Sequence, residues 1–220
     1  MPCRLVILIS GSGSNLQAFI DAINDGRLRA DLRAVISNRP EAAGLARAEA
    51  AGIAALAVDH RDFDSRAAFD DALQHAIDRF EPDLVVLAGF MRILGDRFVR
   101  HYRGRLLNIH PSLLPKYPGL HTHQRAIDNG DREAGATVHF VTEELDGGPP
   151  ILQARVPILP GDNAELLARR VLEREHRIYP LAAQWFADGR LTLTGNRALL
   201  DGQQLPDTGA RYQDDEDRAD

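Results

Sequence analysis

The chain has 220 residues, enough for one hydrophobic core, so one large domain is expected rather than two small ones. Apolar residues make up 44% and charged residues 26% of the sequence, and the net charge of −6 argues against the basic field of a nucleic-acid-binding protein. A single cysteine, Cys3, excludes an internal disulfide and a thiolate metal cluster. No signal peptide or membrane-length apolar run is recognisable, which predicts a cytoplasmic protein that does not bind membranes.

The first part of the chain alternates between strand-like and helix-like patterns. Residues 4–10 form a continuous apolar run that ends in a glycine turn, which is typical of a strand buried on both faces. From Leu16 to Ile23, apolar residues recur at the spacing of one helix face. The alternation continues with strands at 32–37, 53–58 and 84–88 and with helices at 41–51 and about 69–80. This order predicts a parallel sheet with helices on both faces.

The second part of the chain has a different rhythm. A strand begins at Leu106, and strand-like segments follow at 137–141 and 151–156. Because no helix separates these last two segments, they are expected to pair antiparallel. A long helix over about 163–187 and a short strand at 191–194 come next. We therefore predict an α/β protein with an open, mostly parallel, Rossmann-like sheet and an antiparallel C-terminal part.

No linker divides the sequence, so residues 1–205 are predicted to be a single domain. Residues 206–220 are polar and acidic and have almost no apolar side chain to bury. We expect this segment to be a disordered tail.

The segment "SGSGSN", residues 10–15, joins the first strand to the first helix. The backbone N–H groups of such a turn suit an anion, although the segment could also be a tight turn in which Ser14 or Asn15 caps the helix. A dinucleotide fingerprint requires a third glycine where Leu16 stands, and an acidic residue after the second strand, which ends at Ser37. A Walker loop requires a lysine, which this segment lacks. The pattern therefore favours a single phosphate monoester.

Asn108 and His110 lie two residues apart at the end of the strand that begins at Leu106, just before Pro111. Residues at this spacing point to the same side of a sheet. They could be satisfied polar groups at a strand end, but ligands of open α/β sheets lie beyond the carboxyl ends of the strands, where the Gly-Ser loop also lies. An amide donor beside an imidazolium can stabilise an oxyanion, and histidine can transfer a proton near neutral pH.

Asp146 belongs to an Asp-Gly-Gly segment that could be only a turn. If the loop folds back to the sheet edge, its carboxylate could instead face His110 and favour the charged imidazole. His121 and His123 raise the possibility of a zinc site with His110, but catalytic zinc sites recruit histidines from rigid elements, so no metal is predicted.

Glu175 stands in an apolar row of the long predicted helix, and a carboxylate on an inward face needs a partner. Arg170 or Arg174 could be that partner structurally. A ribose hydroxyl or a substrate amine could be the partner functionally.

Four segments occur in the order and at the intervals of one known family: "VILISGSGSNLQA", "LAGFMRIL", "LLNIHPSLLPKYPGLHTH" and "VHFVTEELDGGPPILQ". With them the chain resembles the phosphoribosylglycinamide formyltransferases, folate-dependent enzymes of purine synthesis, over residues 4–205. Ser12 stands where some relatives have asparagine. A site made of backbone amides should tolerate that difference.

The resemblance implies formyl transfer from 10-formyltetrahydrofolate, a co-substrate, to the amine of 5-phosphoribosylglycinamide. Carried over by position, it implies that the catalytic residues are Asn108, His110 and Asp146. It implies that the phosphoribosyl end is bound by Gly13, Ser14, Asn15, Leu16 and Gln17, and the ribose by Glu175. It implies that the folate is bound by Arg66, Met91, Arg92, Ile93, Leu94, Asn108, Thr142, Glu143, Glu144, Leu145 and Asp146, with Arg66 and Arg92 at its acidic tail.

The implied mechanism is attack of the substrate amine on the formyl carbon. Asn108 and protonated His110 would stabilise the tetrahedral oxyanion, and Asp146 would hold His110 charged. A bound water would carry the proton from the amine to the departing folate nitrogen, and no metal would be needed. We expect small-molecule substrates, no nucleic-acid partner, and a monomer or weak homodimer.

Other activities fit parts of the pattern. Methionyl-tRNA formyltransferases share the Asn-x-His and Asp-Gly-Gly features but carry a C-terminal RNA-binding domain, whereas this sequence ends soon after the long helix. Formyltetrahydrofolate hydrolases carry an N-terminal regulatory domain, whereas the first strand here starts at Arg4. A non-catalytic nucleotide-binding module would explain the phosphate loop but would leave Asn108, His110 and Asp146 without a role.

Overall fold

The computed structural model describes residues 1–213. The strands are β1 (Cys3–Ile9), β2 (Ala30–Ser37), β3 (Ala54–Ala57), β4 (Leu84–Leu87), β5 (Leu106–His110), β6 (Glu133–Phe140), β7 (Pro150–Pro157), β8 (Leu191–Thr194), β9 (Arg197–Leu200), β10 (Gln203–Gln204) and β11 (Ala210–Arg211). The helices are α1 (Ser14–Asn24), α2 (Ala43–Ala50), α3 (Arg66–Asp78), α4 (Asp96–His101), α5 (Thr122–Asp128) and α6 (Ala164–Ala187), with a 3₁₀ turn at His60–Asp62. No helix within these residues is long and apolar enough to cross a membrane.

Eight strands form one large sheet in the order β11-β7-β6-β5-β4-β1-β2-β3. The pairs from β3 to β5 are parallel. β6 runs antiparallel to both β5 and β7. The prediction of an open, mostly parallel sheet with an antiparallel C-terminal part is therefore confirmed.

The strand β1 is buried on both faces, as its continuous apolar run predicts. Leu5, Ile7 and Ile9 pack into the core that α1, α2, α5 and α6 cover. Val6 and Leu8 point to the opposite face, where α3 and α4 pack. This alternation follows from the two-residue repeat of a strand, and it places a layer of helices on each side of the sheet.

The long helix α6 begins where the Asn163 side chain accepts a hydrogen bond from the N–H of Leu166 at 2.9 Å, a typical N-cap. Its inward face includes Leu167, Val171 and Ile178, which are fully buried. Glu175 lies on the same face and is also buried. The fold therefore carries this carboxylate into the interior, beside the start of α1.

The strand predicted at 191–194 is confirmed as Leu191–Thr194, and it pairs with β9 in a three-stranded sheet separate from the large one. The segment expected to be a disordered tail is partly ordered, because Ala210–Arg211 forms a strand parallel to β7 and Tyr212 packs against the core. The rest of that predicted tail, residues 214–220, lies outside the described residues.

Candidate active site

The carboxyl ends of β1, β4 and β5 lie at one edge of the large sheet. β1 and β4 are neighbours, although the chain forms β2 and β3 between them, so the strand order reverses here. In open α/β sheets such a reversal leaves a crevice that binds ligands. Ser10, which follows β1, accepts a hydrogen bond at 2.8 Å from the backbone N–H of Met91, which follows β4. This contact ties the two loops at the crevice together.

His110 ends β5 at this edge and is buried. Its Nδ1 lies 3.5 Å from Oδ2 of Asp146, and its Nε2 lies 2.8 Å from the carbonyl oxygen of Tyr117. Both ring nitrogens thus face oxygen acceptors. The Nε2–H therefore donates to the Tyr117 carbonyl, and the Asp146 carboxylate faces Nδ1.

Asp146 reaches His110 because the loop after β6 folds back over the sheet edge. Its backbone is left-handed, with φ 52, a conformation that aspartate tolerates better than most residues. A Cβ on Gly148 would overlap the carbonyl oxygen of Phe140, so glycine allows the loop to lie this close to β6. Oδ2 of Asp146 also accepts a hydrogen bond at 2.9 Å from the N–H of Gly119. The carboxylate is therefore held by two loops.

Asn108 is oriented by a buried histidine. Its Nδ2 lies 3.1 Å from Nε2 of His139, and Nδ1 of His139 lies 2.9 Å from the carbonyl oxygen of Phe140. Since a carbonyl can only accept, Nδ1 carries the proton and Nε2 accepts from Asn108. Burial lowers the pKa of His139 to about 4, so the ring is neutral near pH 7. This arrangement leaves the second N–H of the Asn108 amide available to a ligand.

Sequence reasoning missed His139. It is the residue paired with Asn108 across the antiparallel β5–β6 ladder, so it lies in the adjacent strand beside the amide. Pairing register is a tertiary property that a single sequence does not show. The available signal was a histidine inside a strand whose other described residues are mostly apolar and buried.

The Gly-Ser loop has the geometry expected of an anion site. Gly13 has φ 71 and precedes Ser14, the first residue of α1, and it makes no side-chain cap. The N–H groups of the first helical turn have no intrahelical acceptor and point out of the helix start. The Leu16 side chain is buried in the core, so Leu16 can reach a phosphate here through its backbone alone. The side chain of Gln17 bonds Asp21, and its N–H donates to the oxygen of Gly13.

Glu175 has a different partner from those expected. Its Oε2 accepts a hydrogen bond at 2.7 Å from Nδ2 of Asn15, whereas Arg170 pairs with Asp162 at 2.7 Å. Burial raises the pKa of Glu175 to about 7, and the bond from Asn15 opposes this shift. Oδ1 of Asn15 is buried and has no partner among residues 1–213. Glu175 and Asn15 together thus offer acceptors that need a donor.

Arg92, expected at the folate site, lies against the aromatic ring of Phe69. Its guanidinium carbon is 5.0 Å from the ring centroid. Its Nε is buried without a partner in the described part of the chain. The neighbouring Asp70 accepts a hydrogen bond at 2.8 Å from the N–H of Gly95, and burial raises its pKa.

Three of the expected folate residues are exposed apolar side chains of the loops after β4 and β6, which we call the apolar rim. Met91 is 70% exposed, Ile93 60% and Leu145 57%. Large apolar side chains exposed together indicate a surface that a ligand covers. Leu94 and Thr142, from the same two loops, are half-buried.

The remaining expected folate residues are charged and exposed. Arg66 is the first residue of α3, and Glu144 lies in the loop that carries Asp146. Glu143 lies 3.8 Å from Arg100 and 3.6 Å from Arg103, so its carboxylate faces these two arginines.

His121 and His123 lie at the start of α5, His121 as its N-terminal cap with φ 58. Burial is the largest cause of a lowered pKa at His123, and the nearby His110 adds to it. Within residues 1–213, no group of three or more histidine, cysteine, aspartate or glutamate side chains is arranged to hold a metal ion.

Comparisons with known proteins agree with this geometry. The sequence model of the family described as Formyl transferase matches residues 3–183. The phosphoribosylglycinamide formyltransferase of Escherichia coli is 60% identical over 206 residues, which cover 94% of this chain and 97% of that protein.

Two solved structures show the same fold. The phosphoribosylglycinamide formyltransferase of Coxiella burnetii has a TM-score of 0.93 and 52% identity, covering 97% of this chain and all of that one. A formyltetrahydrofolate deformylase of Burkholderia mallei has a TM-score of 0.83 and 26% identity, covering 91% of this chain and 70% of that one. The resemblance inferred from the four motifs is confirmed, and the chain belongs to the formyl transferase family.

Proposed function

We propose that this protein transfers a formyl group from 10-formyltetrahydrofolate to the amine of 5-phosphoribosylglycinamide. The observation that carries the proposal is the buried pair of His110 and Asp146 beside Asn108, at the end of β5, which neighbours the reversal of strand order between β4 and β1. The pair lies at the same sheet edge as a loop suited to phosphate and an apolar rim suited to a pterin. The 60% identical relative bears the name of this activity.

The reaction begins when the substrate amine attacks the formyl carbon. The carbonyl oxygen then becomes an oxyanion, which the Asn108 amide and the Nε2–H of His110 stabilise, each donor being worth roughly 10² to 10³ in rate. In this structure the carbonyl oxygen of Tyr117 lies 2.8 Å from that Nε2, where an oxyanion would accept. Binding of the formyl donor therefore has to displace this carbonyl.

Collapse of the tetrahedral intermediate breaks its bond to the folate nitrogen. The amine gives up one proton and the folate nitrogen takes one up, and we propose that a water molecule carries it. Throughout the reaction the carboxylate of Asp146 faces the His110 ring and orients it. No step requires a metal ion.

The phosphoribosyl end of the substrate binds at the start of α1. The phosphate accepts hydrogen bonds from the N–H groups of residues 13–16, aided by the helix dipole, whereas the N–H of Gln17 already donates to the oxygen of Gly13. The ribose hydroxyls donate to Glu175 and to Oδ1 of Asn15. These hydroxyls are the donors that Oδ1 of Asn15 lacks among residues 1–213.

The folate binds over the apolar rim, on the side of Asn108, His110 and Asp146 that lies away from the phosphate site. Its pterin contacts the loops at residues 91–94 and 142–146, and its acidic tail meets Arg66 and Arg92. We place the reaction in the cytoplasm, in a monomer or weak homodimer whose residues 1–205 act as one domain. Neither nucleic acid nor a membrane takes part.

The direct test mixes purified protein with both substrates and follows the folate absorbance, with mass spectrometry of the glycinamide product. We expect one formyl group on the glycinamide for each folate released, and no turnover by His110→Ala. Formate release without the glycinamide substrate would instead indicate a hydrolase, and formylation of methionyl-tRNA would indicate the tRNA enzyme.

A further inference from the structure

Three successive carbonyl groups of the Gly-Ser loop are engaged by donors. The oxygen of Gly11 accepts from the N–H of Gly44 at 3.0 Å, and that of Gly13 from the N–H of Gln17 at 2.9 Å. Between them, the oxygen of Ser12 accepts from Nε of Arg47 at 2.8 Å. Of these three donors, Arg47 is the one that uses a side chain.

The Ser12 carbonyl is coupled to the N–H group of the next residue. A trans peptide is planar, so the C=O of Ser12 and the N–H of Gly13 point in opposite directions. While Arg47 holds the carbonyl on the side of α2, the N–H of Gly13 is directed away from α2. This N–H belongs to the set proposed to bind the phosphate.

Helix α2 is close enough to act on the loop because two glycines meet. A Cβ on Gly13 would lie 2.8 Å from Cα of Gly44, and a Cβ on Gly44 would lie 2.5 Å from Cδ1 of Ile9. Arg47 follows Gly44 by three residues, so it lies on the same face of α2. Its Nη1 also reaches Oε1 of Gln17 at 3.3 Å, which links α2, the loop and α1.

We propose that Arg47 is a positioning residue that fixes the Ser12–Gly13 peptide in the orientation that binds phosphate. The inference rests on the proposed function, which puts the substrate phosphate at this loop. Without Arg47 the peptide can rotate, because Gly13 is a glycine and accepts either sign of φ. The rotated peptide would turn the Ser12 oxygen toward the phosphate and remove one N–H donor.

A general effect of positive charge is the competing explanation. Arg47 lines a groove of about 950 Å³ between α1 and α6, and Arg27 lines the same groove. The guanidinium of Arg27 pairs with Asp25 at 2.7 Å and makes no hydrogen bond to the loop among the described contacts. Arg27→Met is therefore a matched control, which removes a cation from the groove without removing a loop contact.

The kinetic test compares Arg47→Met, Arg47→Lys and Arg27→Met. In Arg47→Met we expect KM for phosphoribosylglycinamide to rise about tenfold or more, as for loss of a charge-assisted hydrogen bond, with kcat and the KM for the formyl donor nearly unchanged. Arg47→Lys, which keeps the charge but has no planar fork, should show a smaller rise. Arg27→Met should match the wild type. An unchanged KM in Arg47→Met, or an equal rise in Arg27→Met, would overturn the proposal.

A binding measurement separates this inference from the proposed function. Inorganic phosphate is added to ¹⁵N-labelled protein, and the amide resonance of Gly13 is followed. We expect a large shift in the wild type and in Arg27→Met and its loss in Arg47→Met. If the wild type lacks formyltransferase activity but these shifts occur, the proposed function fails and the role of Arg47 stands. If the Gly13 resonance responds equally in Arg47→Met, the role of Arg47 fails, whatever the activity.

Discussion

Nδ1 of His110 lies 3.5 Å from Oδ2 of Asp146, with the two side chains only 7% and 8% exposed. Water screens a charge pair weakly at such burial, so the attraction between a carboxylate and an imidazolium is strong at this position. The two residues come from elements far apart in the sequence, the end of β5 and the loop after β6. We infer that they act as one unit.

Asp146→Asn should lower kcat by roughly 10² or more, because it keeps the side chain's shape but removes the charge that favours the imidazolium. His110→Ala should be comparably impaired. The double variant should be little worse than either single variant, as for residues that act as a unit. Steady-state kinetics of the wild type, the two single variants and the double variant gives a double-mutant cycle that checks this. Losses that multiply independently would show that Asp146 does not act through His110.

His139→Leu should lower kcat by about tenfold, because the Asn108 amide loses the acceptor that orients it. KM for the phosphoribosyl substrate should change little, since this contact is not part of the phosphate site. Asn108→Ala should have at least as large an effect, and adding His139→Leu to it should change nothing further. An additional loss in that double variant would assign His139 a role apart from Asn108.

The same histidine makes stability depend on pH. Its folded pKa of about 4 lies below the ordinary value of 6.5, so the unfolded chain binds more protons between these values. The stability contributed by the neutral ring is complete above pH 6.5 and is lost as the pH falls toward 4. Melting temperatures across this range should fall more steeply in the wild type than in His139→Leu. Parallel curves would contradict this assignment.

Glu175 should have the opposite effect on stability. Its folded pKa of about 7 lies above the ordinary value of 4.5, so stability is complete below pH 4.5 and is lost as the pH rises through 7. Glu175→Gln removes the buried charge and should be more stable than the wild type above pH 7, by about 1–3 kcal/mol. Its KM for the phosphoribosyl substrate should rise nonetheless. Denaturant unfolding at several pH values, with kinetics, checks both outcomes.

The Gly-Ser loop should select a single phosphate monoester. Calorimetry should show phosphoribosylglycinamide binding far more tightly than its dephosphorylated form. The dephosphorylated form has no anion that could accept from the free N–H groups at the start of α1. NAD and ATP should not bind, since Leu16 replaces the third glycine of a dinucleotide loop and no lysine is present in the segment. Tight NAD binding would rule out this specificity.

Activity should survive exhaustive treatment with EDTA. The proposed mechanism uses Asn108, His110 and a water molecule and passes no step through a metal ion. The control is the same protein with zinc added back. Loss of activity on chelation and recovery with zinc would require His121 and His123 to be reconsidered as ligands.

Local signals predicted most of the large sheet. The apolar run predicted β1 at residues 4–10 against the observed Cys3–Ile9, and periodicity predicted α6 at 163–187 against Ala164–Ala187. Both elements are long and are bounded by caps or glycine turns, which act within a few residues. The short helix α4, Asp96–His101, was missed because six residues carry too little periodicity.

Pairing between distant strands was harder to predict. The strand β8 was foreseen, but its partner β9 and their separate sheet were not, although Gly195 lies in the short turn between them and is a hairpin signal. At the site, Asn108 and His110 could be placed at one sheet edge from their spacing alone. His139 and Arg47 could not, because each acts through a contact that exists only after β6 and α2 have packed.

The pairing of Ala210–Arg211 with Leu152 and Gln153 of β7 has a consequence for the behaviour of the protein in solution. Ala210 and Arg211 cover the outer side of β7 at this point. Without them, β7 would end the sheet with free N–H and C=O groups. Gly209 lies so close that a Cβ there would be 2.8 Å from the carbonyl carbon of Ile151. Open strand edges are templates for edge-to-edge aggregation between copies. A chain shortened to end at Leu205 should therefore keep Asn108, His110 and Asp146 in place and yet lose solubility.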